Sequence, residues 1–103
     1  MTVHVQAVNF GSSDALFDHA RRRMSSCLDR FGRRIRRVSV VLRDENGPKG
    51  GPDKRCQIRV ELNAEASVIV EQSDADVYAA IDRAADRVKR TVRRRIGKQR
   101  DKR

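Results

Sequence analysis

Four short segments rich in apolar residues each predict a β-strand, and strict alternation of hydrophobic and polar residues in the first and third predicts one buried side. In the first, residues 2–8, Val3, Val5 and Ala7 share one face. The other three segments cover residues 35–43, 55–63 and 66–72. Inward positions of the second and third strands are Val38, Val40, Leu42, Cys56, Ile58, Val60 and Leu62.

A first helix is predicted between the first two strands, where apolar residues recur at steps of three and four. This stripe predicts a helix from residue 14 to residue 30, with Ser13 as its N-cap and Gly32 ending it. The stripe consists of Leu16, Ala20, Met24, Cys27 and Phe31.

A second helix is predicted after the last strand. Ser73 and Asp76 have the spacing of a capping box at its start. Arg95 would fall within the apolar stripe, where an unpaired charge is not buried, so we expect the helix to have left the core by that residue. The stripe consists of Val77, Ile81, Ala84, Val88 and Val92.

The order of these elements predicts an α+β fold, a β-α-β-β-β-α two-layer sandwich with two helices on one face of a four-stranded sheet. The last three strands can form a meander, and the first lies at an edge or beside a non-neighbour. We expect one domain over residues 1–96 and a basic tail over residues 97–103. Residues 44–53, rich in turn-forming residues, predict a long, mobile hairpin connection.

Positive charge is concentrated at one end of the chain. The 103 residues carry a formal net charge of +10, and residues 83–103 hold 11 of the 24 Lys and Arg but only 2 of the 14 Asp and Glu. A cationic block attached to a nearly neutral fold indicates a polyanionic partner, either nucleic acid or an anionic membrane surface.

The second helix arranges that charge as a stripe. Its members recur at steps of four and three on a face away from the apolar stripe, which suits successive phosphates along RNA. The predicted RNA-binding stripe consists of Arg83, Arg87, Arg90, Arg94 and Lys98, with Lys89, Arg93 and Arg100 on its flank.

Other basic residues leave two interpretations open. Arg23 and Arg30 border the apolar stripe of the first helix, where they either contact phosphate or extend past the core edge into water. The outward sheet positions carry Arg37, Arg43, Arg55 and Arg59. These strands lack the aromatic residues on which RNA bases stack in the common RNA-recognition sheet, so base stacking is not expected there.

Catalytic and metal sites are not indicated. No nucleophile–base pair is present, and Cys27, Cys56, His4 and His19 do not have metal-ligand spacing, so we expect neither an enzyme nor a cofactor. Both cysteines fall on inward positions, as small buried hydrophobes in a reducing cytoplasm. No apolar run is long enough for a membrane span. We expect no membrane partner and no small-molecule substrate.

One run of residues carries a family resemblance. It is Asp76-Val-Tyr-Ala-Ala-Ile-Asp-Arg-Ala-Ala-Asp-Arg-Val-Lys-Arg, continuing to Lys98, and it resembles the second-helix signature of the short ribosome hibernation factors. That is the family of hibernation-promoting factor and ribosome-associated inhibitor A. The element order agrees with the family, and residues 30–38 and 44–56 resemble a proteobacterial-type branch with a lengthened hairpin loop.

The resemblance implies a fold similar to double-stranded-RNA-binding domains. It implies docking on 16S rRNA of the small ribosomal subunit, in the cleft where mRNA and tRNA pass, and steric inhibition of translation. The family's basic positions correspond to Arg23, Arg87, Arg90, Arg94 and Lys98, whereas Ser26 stands where members often have Lys. We expect no dimerisation domain like that of the long hibernation factors.

Two alternatives remain open from the residues alone. The first is a general binder of structured RNA without preference for the ribosome. The second is a regulator that binds a protein partner through the exposed sheet face.

Overall fold

The computed structural model describes residues 1–10, 13–45 and 53–101, with the side chains of residues 98–101 left out. Its elements confirm the predicted α+β order. They are β1 (Thr2–Val8), α1 (Asp14–Leu28), a 3₁₀ helix (Asp29–Arg34), β2 (Ile35–Asp44), β3 (Lys54–Leu62), β4 (Val68–Asp74) and α2 (Val77–Asp101). The predicted hairpin connection falls mainly on residues 46–52, which lie outside the described residues.

The strands form one mixed sheet in the order β1-β2-β3-β4. β1 is parallel to β2, and the other two pairings are antiparallel. α1 provides the crossover that a parallel pair requires. The register aligns Val3, Val38, Val60 and Val68 in one row across the sheet. A slip of one residue would turn such a row towards water, so apolar alternation fixes the register.

The hydrophobic core lies between this face of the sheet and both helices. α1 contacts α2 and β1, and α2 contacts β3 and β4. Met24 and Leu28 of α1 and Ile81 of α2 are fully buried against the sheet, together with the predicted inward residues of β2 and β3. The opposite face of the sheet carries the polar positions.

α1 begins as predicted and ends earlier. The Oγ of Ser13 accepts a hydrogen bond from the backbone N–H of Leu16 at 3.2 Å. The α-helix stops at Leu28, and the chain tightens into the 3₁₀ helix, so Gly32 does not end the helix as predicted. Leu28 and Phe31 both contact the core. Their spacing matches the three-residue repeat of a 3₁₀ helix, which keeps both on one side.

The predicted capping box at the start of α2 is wrong. Ser73 belongs to β4, where it pairs with Arg55 of β3. Asp76 alone caps the helix: its Oδ1 accepts from the backbone N–H of Tyr78 at 2.9 Å, and its carbonyl accepts from Ala80 at 3.0 Å. Because β4 extends to Asp74, Ser73 is held in the sheet and is unavailable to the helix.

The prediction that α2 leaves the core by Arg95 is also wrong. Ile96 is 7% exposed and belongs to the core. Arg95 avoids burial of its charge because its Nη1 donates to the carbonyl of Ala66, at the surface, at 3.0 Å. The helix backbone then continues to Asp101.

Candidate nucleic-acid interface

The solvent-facing side of α2 carries an exposed row of arginines, here called the basic ridge: Arg83, Arg87, Arg90 and Arg94. They recur at helical steps of four and three, which places them on one side. A cleft of about 310 Å³ lies among Arg83, Arg87, Arg90, Asp86 and Gln72 of β4. The ridge therefore borders an open, polar cleft between α2 and β4.

Three members of the ridge are free of carboxylates. In the described part of the chain, no ion pair involves Arg87, Arg90 or Arg94. Arg83 differs, because its Nη1 lies 3.4 Å from Oδ2 of Asp74 and 3.5 Å from the carbonyl of Ser73. The N–H of Asp76, and then Arg83, lower the pKa of Asp74. Arg83 thus joins α2 to β4, and the other three are available to a ligand.

Arg23 of α1 is held by two carboxylates of α2. Its Nε lies 3.0 Å from Oδ1 of Asp82, and its Nη2 lies 3.1 Å from Oδ1 of Asp86. The same Nη2 donates to the carbonyl of Asp82 at 3.4 Å. Arg23 therefore bridges the two helices, which makes it less available to RNA than the ridge residues.

This bridge changes the charge of the ridge. Asp86 is the acidic residue closest in sequence to Arg87 and Arg90, where it would otherwise reduce their positive potential. By pairing with Asp86, Arg23 supplies a compensating positive charge from outside α2. Three unpaired arginines and a compensated carboxylate leave the surface strongly cationic.

His19 completes the contacts between the helices, although the sequence suggested no role for it. Its Nε2 lies 2.9 Å from Oδ1 of Asp82, and its ring meets that of Tyr78 edge-on at 5.0 Å. One sequence signal was available: His19 and Arg23 are four residues apart on α1, and Asp82 and Asp86 are four apart on α2. Matched pairs at this spacing lie on single faces of facing helices.

The remaining predicted residues occupy other places. Arg30 lies in the 3₁₀ helix, with its guanidinium 5.3 Å from the ring centre of Phe31. Lys89 is half-buried and follows Asp86, which contacts Arg23 of α1, by three residues, so it lies on the side of α2 that faces α1, away from the ridge. Arg93, four residues after Lys89, is exposed on that flank. The side chains of Lys98 and Arg100 lie outside the described residues.

The open face of the sheet is partly neutralised. Arg37 lies 3.7 Å from Glu61, and Arg55 lies 3.0 Å from Glu71 and 3.9 Å from Glu45. Arg43 and Arg59 are exposed there without a carboxylate at ion-pair distance among the described residues. This face is a weaker site for a polyanion than α2.

Both cysteines are buried and free. Burial raises the pKa of the Cys56 thiol to about 12 and raises that of Cys27 as well, so both are protonated near neutral pH. Over residues 1–10, 13–45 and 53–101, no group of three or more His, Cys, Asp or Glu is placed to hold a metal ion. Nor does any helix in those ranges have the length and apolarity that crossing a membrane requires.

Replacing Arg23 with alanine is expected to lower the free energy of unfolding by about 1 kcal/mol, because Asp82 and Asp86 lose their shared cation at a half-exposed site. Urea denaturation measures the change. Arg22→Ala, an exposed change one residue away, is the control and should stay within about 0.5 kcal/mol. Equal losses in both variants would contradict the role of Arg23 as a bridge.

Comparison with known protein families gives one match over nearly the whole chain. Residues 3–100 match the model of the family described as sigma 54 modulation protein / S30EA ribosomal protein. A ribosome hibernation promotion factor of Deinococcus radiodurans is 36% identical over 72 residues, which are 67% of this chain. The match spans only 36% of the length of that relative.

Two solved structures share the fold. The N-terminal domain of Protein Y from Thermus thermophilus is 33% identical with a TM-score of 0.75, and the alignment covers 91% of this chain and 98% of that domain. A ribosomal subunit interface protein from Coxiella burnetii has a TM-score of 0.78 over 94% of this chain and 99% of its own. At 13% identity, the second likeness concerns the fold alone.

Proposed function

Because the chain belongs to the sigma 54 modulation protein / S30EA ribosomal protein family, we propose that it is a ribosome hibernation factor that binds the small ribosomal subunit. In this proposal, α2 lies against 16S rRNA in the channel that mRNA and tRNA use. Bound protein excludes both ligands by occupying their space, and it acts without catalysis in the cytoplasm. The description of the family as a ribosomal protein and the name of the related hibernation promotion factor support the assignment to ribosomes.

The observation that carries the proposal is the unpaired part of the basic ridge. Arg87, Arg90 and Arg94 are exposed on one side of a helix, and in the described structure they make no ion pair. Arginine on a helix at one-turn intervals places guanidinium groups about 5–6 Å apart, which matches successive phosphates of a nucleic-acid strand. Such contacts release counterions and give affinity that falls with salt.

Rigid support makes the ridge effective. α2 is anchored along its length by buried Ile81, Val88, Val92 and Ile96, and it is tied to α1 by Arg23. The arginines are therefore presented on a preformed helix that needs no folding when RNA binds. Preorganisation of this kind reduces the entropic cost of association.

Binding to purified small subunits tests the proposal directly. We expect the protein to co-sediment with the small subunit through a sucrose gradient at moderate salt and to dissociate as salt is raised. A messenger bound in advance should reduce co-sedimentation because the two compete for the same channel. Absence of co-sedimentation at every salt concentration would contradict the proposal.

General binding of structured RNA is the second candidate, and it is favoured by the chemistry of the ridge. Arginines aimed at phosphates carry no sequence information by themselves. This candidate predicts that a generic RNA duplex competes with the small subunit at equal phosphate concentration. Hibernation-factor activity predicts that a large excess of duplex is needed.

A further inference from the structure

A second cationic site lies on the side of α2 away from the basic ridge. Two adjoining cavities, of about 200 and 340 Å³, open between the 3₁₀ helix, the turn after β3 and the last core residue of α2. They share Arg33, Arg34 and Ile96 as lining residues. Together they are called the terminal cavity here, and the larger of the two alone reaches the lower end of the range of small-ligand sites, roughly 300–1,000 Å³.

The floor of the terminal cavity is apolar. Leu62 and Ile96, each 7% exposed, form it together with the half-buried ring of Phe31. An apolar floor beside an aromatic ring favours an aromatic or apolar group, which binds there by excluding water.

The rim of the cavity is cationic. Arg33 is exposed at the edge of both cavities, and Arg30 lies over the face of Phe31 at the outer one. Glu65 is the carboxylate among the lining residues, and it belongs to the smaller cavity only. The outer part therefore presents Arg33 and the Arg30–Phe31 pair beside the apolar floor, a combination suited to a phosphate next to a base.

The walls are held in place by hydrogen bonds. Asn63 connects the turn to the 3₁₀ helix through two hydrogen bonds. Its side-chain Nδ2 donates to the carbonyl of Arg33 at 2.8 Å, and its backbone N–H donates to the carbonyl of Arg34 at 3.0 Å. Arg95 of α2 is bonded to Ala66 beyond the turn. The site is thus preformed by contacts among three separate elements.

We propose that the terminal cavity binds a single unstacked nucleotide, with its base on Leu62 and Ile96 and its phosphate on Arg33 and on Arg30, whose guanidinium covers the ring of Phe31. The nucleotide comes from a single-stranded RNA segment or from the free nucleotide pool. Arg93, three residues before Ile96, and Lys89 extend the positive charge of the flank towards this site. This continuity favours an RNA strand, and to that extent the proposal rests on the proposed function.

A cavity-filling variant provides the test. Ala64 lines the cavity and is exposed, so Ala64→Leu fills the site without disturbing the core. Ala75 is exposed in the turn before α2 and outside the cavity, which makes Ala75→Leu the matched control. We expect Ala64→Leu to weaken binding of a hexaadenylate ribonucleotide about tenfold, because the leucine side chain takes the space of the base, and Ala75→Leu to leave it unchanged.

NMR spectra of the full chain separate this proposal from the ridge. Hexaadenylate should shift the resonances of Leu62, Ala64 and Ile96 in the wild type and in the Arg87→Ala, Arg90→Ala, Arg94→Ala triple variant. Tighter binding of hexaadenylate than of adenosine monophosphate identifies an RNA strand as the source, and equal affinity identifies the free nucleotide. Shifts limited to the ridge, or equal shifts with inorganic phosphate alone, would overturn the proposal whether or not the protein binds ribosomes.

Discussion

Replacing Arg87, Arg90 and Arg94 together with alanine is expected to weaken binding to the small subunit on the order of 100-fold at 0.15 M salt. The three guanidinium groups are exposed, lie on one side of α2 and, within the described structure, have no carboxylate partner. Each guanidinium group is therefore able to neutralise a phosphate. Because the three groups share one side of the helix, their phosphate contacts should all disappear in the triple variant.

The magnitude follows from counterion release. Each phosphate contact contributes about 0.7–0.9 to the slope of log affinity against log salt concentration. Three lost contacts should reduce that slope by roughly 2–3, which is about two decades of affinity between 0.15 M and 1 M salt. Co-sedimentation or fluorescence anisotropy over a series of salt concentrations measures both quantities.

A charge-matched control distinguishes the ridge from total charge. Arg22, Arg43 and Arg59 are exposed on α1 and on the open sheet face, and no ion pair involves them among the described residues. Their combined replacement removes the same three charges from elsewhere. We expect a smaller loss of affinity and little change in slope. Equal losses in the two triple variants would show that net charge rather than the ridge drives binding.

The sequence predicts the fold well where one hydrophobic periodicity determines which residues are buried. Alternation marked the inward residues of β2 and β3, and Val38, Val40, Ile58 and Val60 are all buried. The position of β1 at an edge parallel to β2 was not decided, because it depends on how the crossover through α1 packs. Alternation shows which side of a strand is buried, and it does not identify the neighbouring strand.

Errors arose at the ends of elements, where two local preferences compete. Ser73 has a side chain suited to capping, but pairing of β4 with β3 holds it in the sheet. The charge of Arg95 predicts the end of the core, yet its long side chain reaches the carbonyl of Ala66 and leaves Ile96 buried. Both outcomes are set by partners distant in sequence.

In the candidate site, too, features set by local spacing could be predicted and features set by contacts between distant segments could not. The stripe of α2 followed from helical spacing, and the structure exposes Arg87, Arg90 and Arg94 as expected. Sequence spacing did not show that Arg23 would meet Asp82 and Asp86, because that contact depends on how two helices cross. The terminal cavity was missed for a similar reason, since its lining comes from three separate segments.

The largest expected effect on stability comes from Ile58→Ala. Ile58 is fully buried on β3, an inner strand, between Val40 of β2 and Val70 of β4. Its truncation should lower the free energy of unfolding by about 2–5 kcal/mol, since it removes buried methyl groups and leaves a cavity. For a domain of this size that corresponds to a fall in Tm on the order of 15 °C, which calorimetry or circular dichroism measures.

Ile69→Ala provides the matched control, because it is the same substitution on the neighbouring strand β4. Ile69 is 54% exposed on the open face, so its truncation leaves the core intact. Both variants carry the same change in strand propensity, about 1 kcal/mol or less, and the difference between them isolates burial. A difference below about 1 kcal/mol would contradict the placement of the core between this face of the sheet and the helices. A difference of several kcal/mol would mean that the apolar layer between the sheet and α2 holds α2 in place. The position of the basic ridge would then depend on that layer.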